Sequence, residues 1–208
     1  MSLPEVTIID YGVGNIFAFQ NVYKRLNIPT NIARTKEDLA HAKKLILPGV
    51  GSFDYAMAQL NASGIREKLD ELVLDKKIPV IGICVGMQIM GNRSDEGKLE
   101  GLKWIDSEIL KFDESLIHQR TKLPHMGWND VTPVKNHPLF IGLEKEAIFY
   151  FLHSFYFKCN YPLEIIAETD YGITFSSAVN KDNIYGIQFH PEKSHQYGEK
   201  LLHNFAKL

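Results

Sequence analysis

Residues 79–90 read PVIGICVGMQIM, and this stretch decides the fold. The apolar run 79–83 is typical of a buried β-strand, and residues 87–90 continue it with a helical pattern. Cys84 stands at the junction, with a glycine two residues away on either side. Small neighbours are what a sharp, crowded strand-to-helix turn requires. We therefore predict that Cys84 lies on such a turn, at the carboxyl end of a strand.

Strand-like and helix-like stretches alternate on both sides of this segment. Further strands are predicted at 6–9, 29–33 and 45–47, and helices at 16–26 and in two pieces within 53–76. Such alternation requires crossover connections, which give a mainly parallel sheet with helices on both faces. From about Leu102 the chain is strand-rich. The β-prone runs are 148–157, 164–168, 174–179 and 184–189, before a closing helix near 197–206. We predict a three-layer α/β domain with a small added mixed or antiparallel sheet.

Length and composition limit the possible functions. The 208 residues contain no linker or repeat, so we predict a single domain over 1–208. Lys+Arg 23 against Asp+Glu 25 gives a net charge of −2, which argues against nucleic acid or an anionic membrane as partner. No signal peptide is readable, and no apolar run reaches the ~18–20 residues that span a bilayer. Two cysteines suit a reducing compartment, so a cytoplasmic location is expected.

A nucleophilic cysteine needs a base, and the base needs an orienting group. The start of a helix after Cys84 would favour its thiolate form and supply amides for an oxyanion. His190 and Glu192 share one face of an extended segment at the end of the last predicted strand, so Glu192 can hold His190 in one tautomer. Taken alone, Cys84 is equally compatible with a buried structural cysteine, and the His-Pro-Glu triplet with a solvated loop. Their common placement at strand ends favours a catalytic pair.

A third strand end carries two glycines around one valine, Gly49, Val50 and Gly51. Such a backbone can turn an N–H towards a reacting carbonyl, although from the residues alone an ordinary strand-to-helix turn fits somewhat better. Other motifs do not carry a cofactor. The Gly-rich segment 10–15 has Phe17 in place of the third glycine of a dinucleotide site, and no cysteine pair accompanies the histidines at zinc-like spacing. We expect neither a cofactor nor a metal.

These motifs together resemble those of the class I (triad) glutamine amidotransferases. The resemblance covers essentially the whole chain from about residue 5. Four segments narrow it to the glutaminase subunits of imidazole glycerol phosphate synthases in histidine biosynthesis. They read DYGVGN at 10–15, PGVGSF at 48–53, PHMGWN at 124–129 and HPEKS at 190–194.

The resemblance implies a role for each matching residue. Cys84 would attack the side-chain amide of L-glutamine, His190 would be the general acid and base, and Glu192 its orienting partner. Ammonia would leave from a γ-glutamyl thioester, which water hydrolyses to glutamate. In the oxyanion strand, the peptide after the first glycine would flip to complete the hole. The oxyanion and substrate site would comprise Gly49, Val50, Gly51, Val85 and Gln88.

The resemblance also implies a partner. Ammonia would pass to a separate cyclase subunit, a (βα)₈ barrel that forms a heterodimer with this chain and completes imidazole glycerol phosphate. Trp128, Tyr150 and Lys193 match family positions at that interface. From the residues alone, Trp128 and Tyr150 could equally be packing residues, and Lys193 a solvated surface charge.

Other functions remain open at this point. The stretch from Gly101 to Ile105 departs from the family's usual Gly-Leu-x-x-Gly pattern, as a paralogous glutaminase for surface-sugar amidination would. Glutaminase subunits of anthranilate or aminodeoxychorismate synthase lack the PHMGWN segment. A γ-glutamyl hydrolase or cysteine peptidase of similar fold would act without a partner. A non-catalytic subunit is disfavoured because all three triad residue types are present.

Overall fold

A computed structural model describes residues 6–145 and 147–208 of the chain. Within them, the strands β1 to β13 are Val6–Ile9, Thr30–Ala33, Leu45–Gly49, Val80–Cys84, Arg93–Ser94, Ser107–Lys111, His125–Asp130, Thr132–Pro133, Ile148–His153, Phe155–Cys159, Ile165–Asp170, Thr174–Lys181 and Ile184–Ile187. The α-helices α1 to α5 are Ile16–Arg25, Phe53–Ala62, Arg66–Asp70, Val85–Gln88 and His195–Lys207. No helix in these two ranges is long and apolar enough to cross a membrane.

One eight-stranded sheet, in the order β2-β1-β3-β4-β13-β12-β11-β8, carries the fold. Its first five strands are parallel and the remaining three pair antiparallel. Along the sheet, β2 lies on one side of β1, whereas β3 and then β4 lie on the other side, so the connections β1–β2 and β3–β4 run in opposite directions. Right-handed crossovers then place α1 and α2 on opposite faces of the sheet. This confirms the predicted three-layer α/β class, and the parallel strands end together at the edge where such sheets bind ligands.

The added strands form two small sheets instead of one. Strands β10, β6 and β5 make a mixed three-stranded sheet, and β7 pairs antiparallel with β9. The β-prone run 148–157 is two strands, because the chain turns at Ser154. We call the β7–β9 pair the ribbon. The sequence does not predict strand β7. In this strand the polar residues His125 and Asn129 face inward and Met126 and Trp128 are exposed, which is the reverse of the usual alternation of polar and apolar residues.

The stretch from Gly101 to Ile105, which departs from the family pattern, lies behind α4. The Gly101 and Leu102 amides donate to the carbonyls of Asn92 and Ile89, at 2.9 and 2.7 Å. Leu102 and Ile105 are buried in the core. The departure therefore lies in a segment that supports the end of α4.

The turn between β4 and α4 is packed tightly against β3. A Cβ at Gly86 would lie 1.9 Å from the Leu47 carbonyl oxygen, and a Cβ at Gly49 would lie 2.2 Å from the Gly86 nitrogen. A Cβ at Gly82 would lie 2.6 Å from the Gly86 carbonyl oxygen. Backbone therefore packs directly on backbone where β3 meets the turn, and no side chain fits between them.

Gly86→Ala tests this close packing of backbone on backbone. The added methyl would meet the backbone of β3, which cannot move aside as a flexible side chain can, so we expect a loss of about 2–3 kcal/mol in the free energy of unfolding. Urea unfolding measures it. Gly64→Ala is the control: its φ is +75° but no atom lies within 4 Å of the added Cβ, so the loss should be only about 1 kcal/mol. Equal losses would show that the close approach contributes nothing.

Candidate active site

Cys84 closes β4 with φ +55° and ψ −114°, a conformation that a residue with a side chain rarely adopts. The sharp turn predicted for it is present, and the side chain is buried. The thiol lies 3.7 Å from Gln188 Nε2 and 3.9 Å from the Leu152 carbonyl oxygen. Strain of this kind persists only where the surroundings impose it, and here the packing of β3 on the turn does so.

His190 and Glu192 lie beside this thiol. Nδ1 of His190 is 2.9 Å from Glu192 Oε1, and both side chains are almost fully buried. This contact leaves Nε2 of the imidazole for Cys84, and both residues line the same cavity. The three residues that sequence reasoning selected are therefore brought together, in the order nucleophile, base and orienting carboxylate.

The electrostatics of this cluster favour a protonated imidazole. Burial by itself would lower the pKa of His190. The hydrogen bond and charge interaction with Cys84, followed by those with Glu192, overcome burial and raise the pKa of His190 to about 10. His190 therefore holds a proton that can pass to a leaving group, next to the sulfur of Cys84.

The ribbon holds His190 in place through its backbone. The His190 amide donates to the Tyr150 carbonyl at 2.8 Å, which makes a single antiparallel bridge to β9. The buried Ser194 hydroxyl donates to the His190 carbonyl at 2.6 Å and accepts from the Tyr150 amide at 3.0 Å. Any shift of β9 would therefore move the His190 imidazole.

A cavity of about 290 Å³ opens over the Cys84 thiol. Among its lining residues are His190 and five of the other residues that were selected from the sequence: Val50, Gly51, Val85, Gln88 and Lys193. Gly49 pairs with Cys84 in the β3–β4 register and lies just beneath the lining. Trp128 and Tyr150 are not part of the lining.

The carboxamide of Gln88 is held from two sides. Its Nε2 donates to the Phe155 carbonyl at 3.1 Å and to Gln188 Oε1 at 3.0 Å. Gln188 in turn directs its own Nε2 to the Cys84 sulfur. Both glutamines are buried. The sequence marks Gln188 only as a neighbour of the His-Pro-Glu triplet, and its contact with the nucleophile is visible only in the tertiary structure.

The strand end predicted to form the oxyanion hole is held from behind by Tyr11. The Tyr11 hydroxyl donates to the Pro48 carbonyl at 2.7 Å. Burial, followed by the charge of Cys84, raises the pKa of Tyr11 well above its usual range, so the hydroxyl stays a donor. Gly51 has φ +85°. The backbone from Gly49 to Gly51 is therefore anchored at one end and can turn at the other.

Sequence reasoning missed Glu96. This exposed residue lines the cavity, and its Oε2 accepts a hydrogen bond from the Phe53 amide at 2.8 Å. Its carboxylate places negative charge at the mouth of the cavity, where a substrate ammonium would be bound. No local motif marks Glu96, because its position depends on the contact between the segment after β5 and the start of α2.

The other face of the ribbon is apolar and open to solvent. Trp128 and Tyr150 lie opposite each other on β7 and β9, with their rings at 6.2 Å, and Lys193 Nζ is 5.5 Å from the Tyr150 ring centroid. Met126 is 60% exposed, Trp128 45% and Leu152 38%. The three residues predicted at an interface therefore form one continuous surface next to the cavity.

Two buried histidines lie under the same ribbon. His125 and His153 are opposite each other on β7 and β9, and Nδ1 of His125 is 3.0 Å from Nε2 of His153. Burial lowers the pKa of His125 to about 4. Burial, and then the charge of His125, lowers the pKa of His153 to about 3. Both rings are therefore neutral at pH 7.

A strained cysteine, a histidine and a buried carboxylate at the strand ends of a doubly wound sheet are the arrangement of a nucleophilic hydrolase or acyl-transfer enzyme. Residues 7–208 match the family model described as glutamine amidotransferase class-I. The chain belongs to this family.

Curated relatives are similar over almost the whole chain. The protein named imidazole glycerol phosphate synthase subunit HisH from Bdellovibrio bacteriovorus is 55% identical, over 98% of this chain and 100% of its own. The subunit HisH from Leptospira interrogans is 50% identical with the same coverage. Subunit HisH 2 from Pseudomonas aeruginosa is 44% identical, over 98% of this chain and 99% of its own.

Solved structures share the fold at low identity. PurLQS from Thermotoga maritima has a TM-score of 0.74 at 16% identity, covering 99% of this chain and 98% of the other. A glutamine amidotransferase from the same organism has a TM-score of 0.63 at 16% identity, covering 92% and 77%.

The buried histidine pair predicts acid sensitivity. The unfolded chain protonates histidine near pH 6.5, whereas the folded pair does so only near 4 and 3. Between these values the unfolded state binds more protons, so the free energy of unfolding falls as the pH falls. Between about pH 6.5 and 4.5, the free energy of unfolding of the double variant His125→Leu/His153→Leu should fall by about 4 kcal/mol less than that of the wild type, or about 2 kcal/mol for each histidine, as measured by urea unfolding. Parallel curves for the two proteins would contradict the prediction.

Proposed function

We propose that this chain is a glutaminase subunit that hydrolyses L-glutamine to glutamate and ammonia at Cys84, His190 and Glu192, and supplies the ammonia to a cyclase subunit that makes imidazole glycerol phosphate in histidine biosynthesis. The observation that carries the proposal is a complete, buried triad in an open cavity of a chain 55% identical to a named HisH subunit. The same identity favours this function over the surface-sugar, γ-glutamyl hydrolase and peptidase alternatives.

The proposed chemistry follows from the geometry. The Cys84 thiol gives its proton to His190, its sulfur attacks the side-chain amide carbon of glutamine, and the amide oxygen becomes an oxyanion. His190 gives that proton to the amide nitrogen, the C–N bond breaks, and ammonia leaves a γ-glutamyl thioester. A water molecule then loses a proton to His190 and attacks the thioester carbon. The C–S bond breaks, His190 returns the proton to the departing sulfur, glutamate leaves and the Cys84 thiol is restored. Glu192 stays ionised and stabilises the imidazolium in both steps.

The oxyanion is assigned to backbone donors around the turn. The Val85 amide opens α4 and has no acceptor within the helix. The second donor comes from the anchored backbone between Gly49 and Gly51, whose glycines allow a peptide to turn its N–H towards the cavity. Val50, which is 43% exposed between them, is the side chain that moves with that peptide.

Glutamine recognition is assigned to the polar lining of the cavity. Glu96 offers a carboxylate to the α-ammonium group of the substrate, and Lys193 an ammonium to its α-carboxylate. Gln88 contacts the substrate with a carboxamide whose orientation Phe155 and Gln188 already determine. No cofactor or metal takes part in the proposed steps, because the thiol, imidazole and water suffice for amide hydrolysis.

The partner is assigned to the exposed apolar face of the ribbon. Trp128, Tyr150 and Lys193 lie there beside the cavity mouth, so a subunit seated on this face would receive ammonia before it reaches bulk water. We infer a heterodimer with a cyclase of (βα)₈-barrel fold, and a cytoplasmic location for the pathway.

The deciding experiment measures glutamate release from L-glutamine. The chain is assayed alone and together with the histidine-pathway cyclase subunit and its nucleotide ligand. Strong activation by the mixture supports the proposal. A high rate for the chain alone that the cyclase does not change would indicate a partner-independent hydrolase instead.

Cys84→Ala tests the nucleophile. Removal of the sulfur removes covalent catalysis, so glutamate release by the complex should fall about 10⁴-fold. Cys159→Ala is the matched control: the Cys159 thiol is outside the cavity and contacts the Tyr161 carbonyl at 3.4 Å, so its loss should leave the rate within about twofold. If the two variants behave alike, Cys84 is not the nucleophile.

Trp128→Ala tests the interface. Large aromatic side chains at the centre of an interface contribute most of its binding energy, so the Kd for the cyclase subunit should rise about 10- to 100-fold by titration calorimetry. Leu163→Ala, which truncates an 89% exposed apolar residue before β11, should leave the Kd unchanged. An unchanged Kd for Trp128→Ala would place the partner on another surface.

A further inference from the structure

His125 and His153 are polar groups in the aromatic core beneath the ribbon, and the proposed reaction makes no direct use of them. The His125 ring stacks on Tyr171 at 3.9 Å and on Phe151 at 4.6 Å between centroids. The His153 ring is 5.4 Å from those of Phe112 and Phe175. A leucine or phenylalanine would fill either space without the cost of burying a polar ring. The presence of two imidazoles at these positions therefore indicates a role for their hydrogen bonds.

The direction of these hydrogen bonds is determined by Asn129. Its Nδ2 donates to the Asp170 carbonyl at 2.8 Å, and its Oδ1 accepts from the Asp130 amide at 2.8 Å. These two contacts leave one orientation for the carboxamide. The second N–H of Nδ2 then points to His125 Nε2, at 3.2 Å. Nε2 of His125 is therefore an acceptor.

The tautomers of both histidines follow. A neutral His125 that accepts at Nε2 carries its proton on Nδ1, which donates to Nε2 of His153 at 3.0 Å. His153 then carries its proton on Nδ1 as well, and this N–H donates to the Phe155 carbonyl at 2.8 Å. Each ring nitrogen has one partner, and every bond runs in the same direction.

The chain of bonds ends at the cavity. The Phe155 carbonyl that accepts from His153 also accepts from Nε2 of Gln88, whose other N–H goes to Gln188. Both hydrogens of the Gln88 amide are thus committed. Its Oε1 is left to face the substrate, and the carboxamide cannot flip without losing both bonds.

We propose that His125 and His153 are positioning residues for the glutamine site, which hold the Phe155 carbonyl so that Gln88 presents one face of its carboxamide to the substrate. This inference rests on the proposed function in one respect, that Gln88 contacts glutamine. The two imidazoles work only as neutral Nδ1–H tautomers. An apolar substitute preserves the packing and loses the effect.

The first test reads the tautomers directly and is independent of activity. The ¹⁵N spectrum of the histidine-labelled chain at pH 7 should show both rings neutral with the proton on Nδ1. Asn129→Ala removes only the donor to Nε2 of His125 and keeps both rings. Because the Phe155 carbonyl can only accept, both rings should stay in the Nδ1–H form in this variant. An Nε2–H or cationic ring in the wild type would overturn the proposal.

The second test separates substrate binding from chemistry in the complex with the cyclase subunit. His125→Leu leaves His153 Nε2 without a donor, so the KM for glutamine should rise about five- to tenfold while kcat stays within about twofold. His125→Asn restores an N–H near the Nδ1 position and should return the KM to within about threefold of the wild type. An unchanged KM in His125→Leu would overturn the proposal.

The matched control is His137→Leu. His137 also uses both ring nitrogens, with Nε2 at 3.3 Å from Asn180 Oδ1 and Nδ1 accepting from the Leu139 amide at 3.2 Å. Neither of these partners lines the cavity, whereas the His153 partner of His125 does. It should destabilise the protein and leave the KM unchanged. An equal rise in KM would mean that the effect of His125→Leu is general destabilisation, which overturns the proposal.

The two proposals fail in distinguishable ways. If the wild-type complex releases no glutamate while both rings carry Nδ1–H, the assigned substrate is wrong and the hydrogen-bond chain stands. If glutamate is released and the rings are not in the Nδ1–H form, the proposed glutaminase activity is supported and the positioning role is wrong. For variants that fold poorly, the ¹⁵N spectrum of the wild-type chain still tests the positioning role, since it needs no substitution.

Discussion

The backbone contact between β3 and the turn after β4 is the constraint on which the rest of the structure depends. A methyl group at Gly86 would lie only 1.9 Å from the Leu47 carbonyl oxygen, so there is no room for a side chain. This contact holds Cys84 in an unfavourable conformation, with φ +55°, at a cost of about 1–3 kcal/mol that the surrounding core has to supply. It also aligns Gly49 with Cys84, so the backbone proposed to bind the oxyanion and the proposed nucleophile are positioned by a single interaction.

The ribbon links the partner surface to the chemistry. Its outward side chains are apolar and exposed, whereas its backbone bonds to His190 and lies against the Cys84 sulfur through the Leu152 carbonyl. Its inward side chains include the histidine pair. A subunit that binds the outward face therefore acts on a two-stranded element whose position sets both the imidazole and the glutamine pocket. Allosteric coupling needs a physical connection of this kind between two sites.

Buried polar groups in this protein serve orientation more than stability. Glu192 orients His190, Tyr11 orients the Pro48 carbonyl, and the two histidines orient the Phe155 carbonyl. Each carries a desolvation cost that an apolar side chain would avoid. Each of these hydrogen bonds also restricts its partner to one orientation, whereas apolar packing would permit several. A site that holds reacting atoms in fixed positions requires such restriction.

The sequence by itself determined the α/β class, the turn at Cys84 and the three candidate triad residues, because strand–helix alternation and glycine spacing are local signals. It also marked Trp128, through a family motif. Only the tertiary structure decided that Glu96 reaches the cavity, that the β-prone run after 148 splits into two sheets, and that His125 meets His153. These outcomes depend on contacts between segments far apart in the chain, and such contacts leave no periodicity in either segment alone.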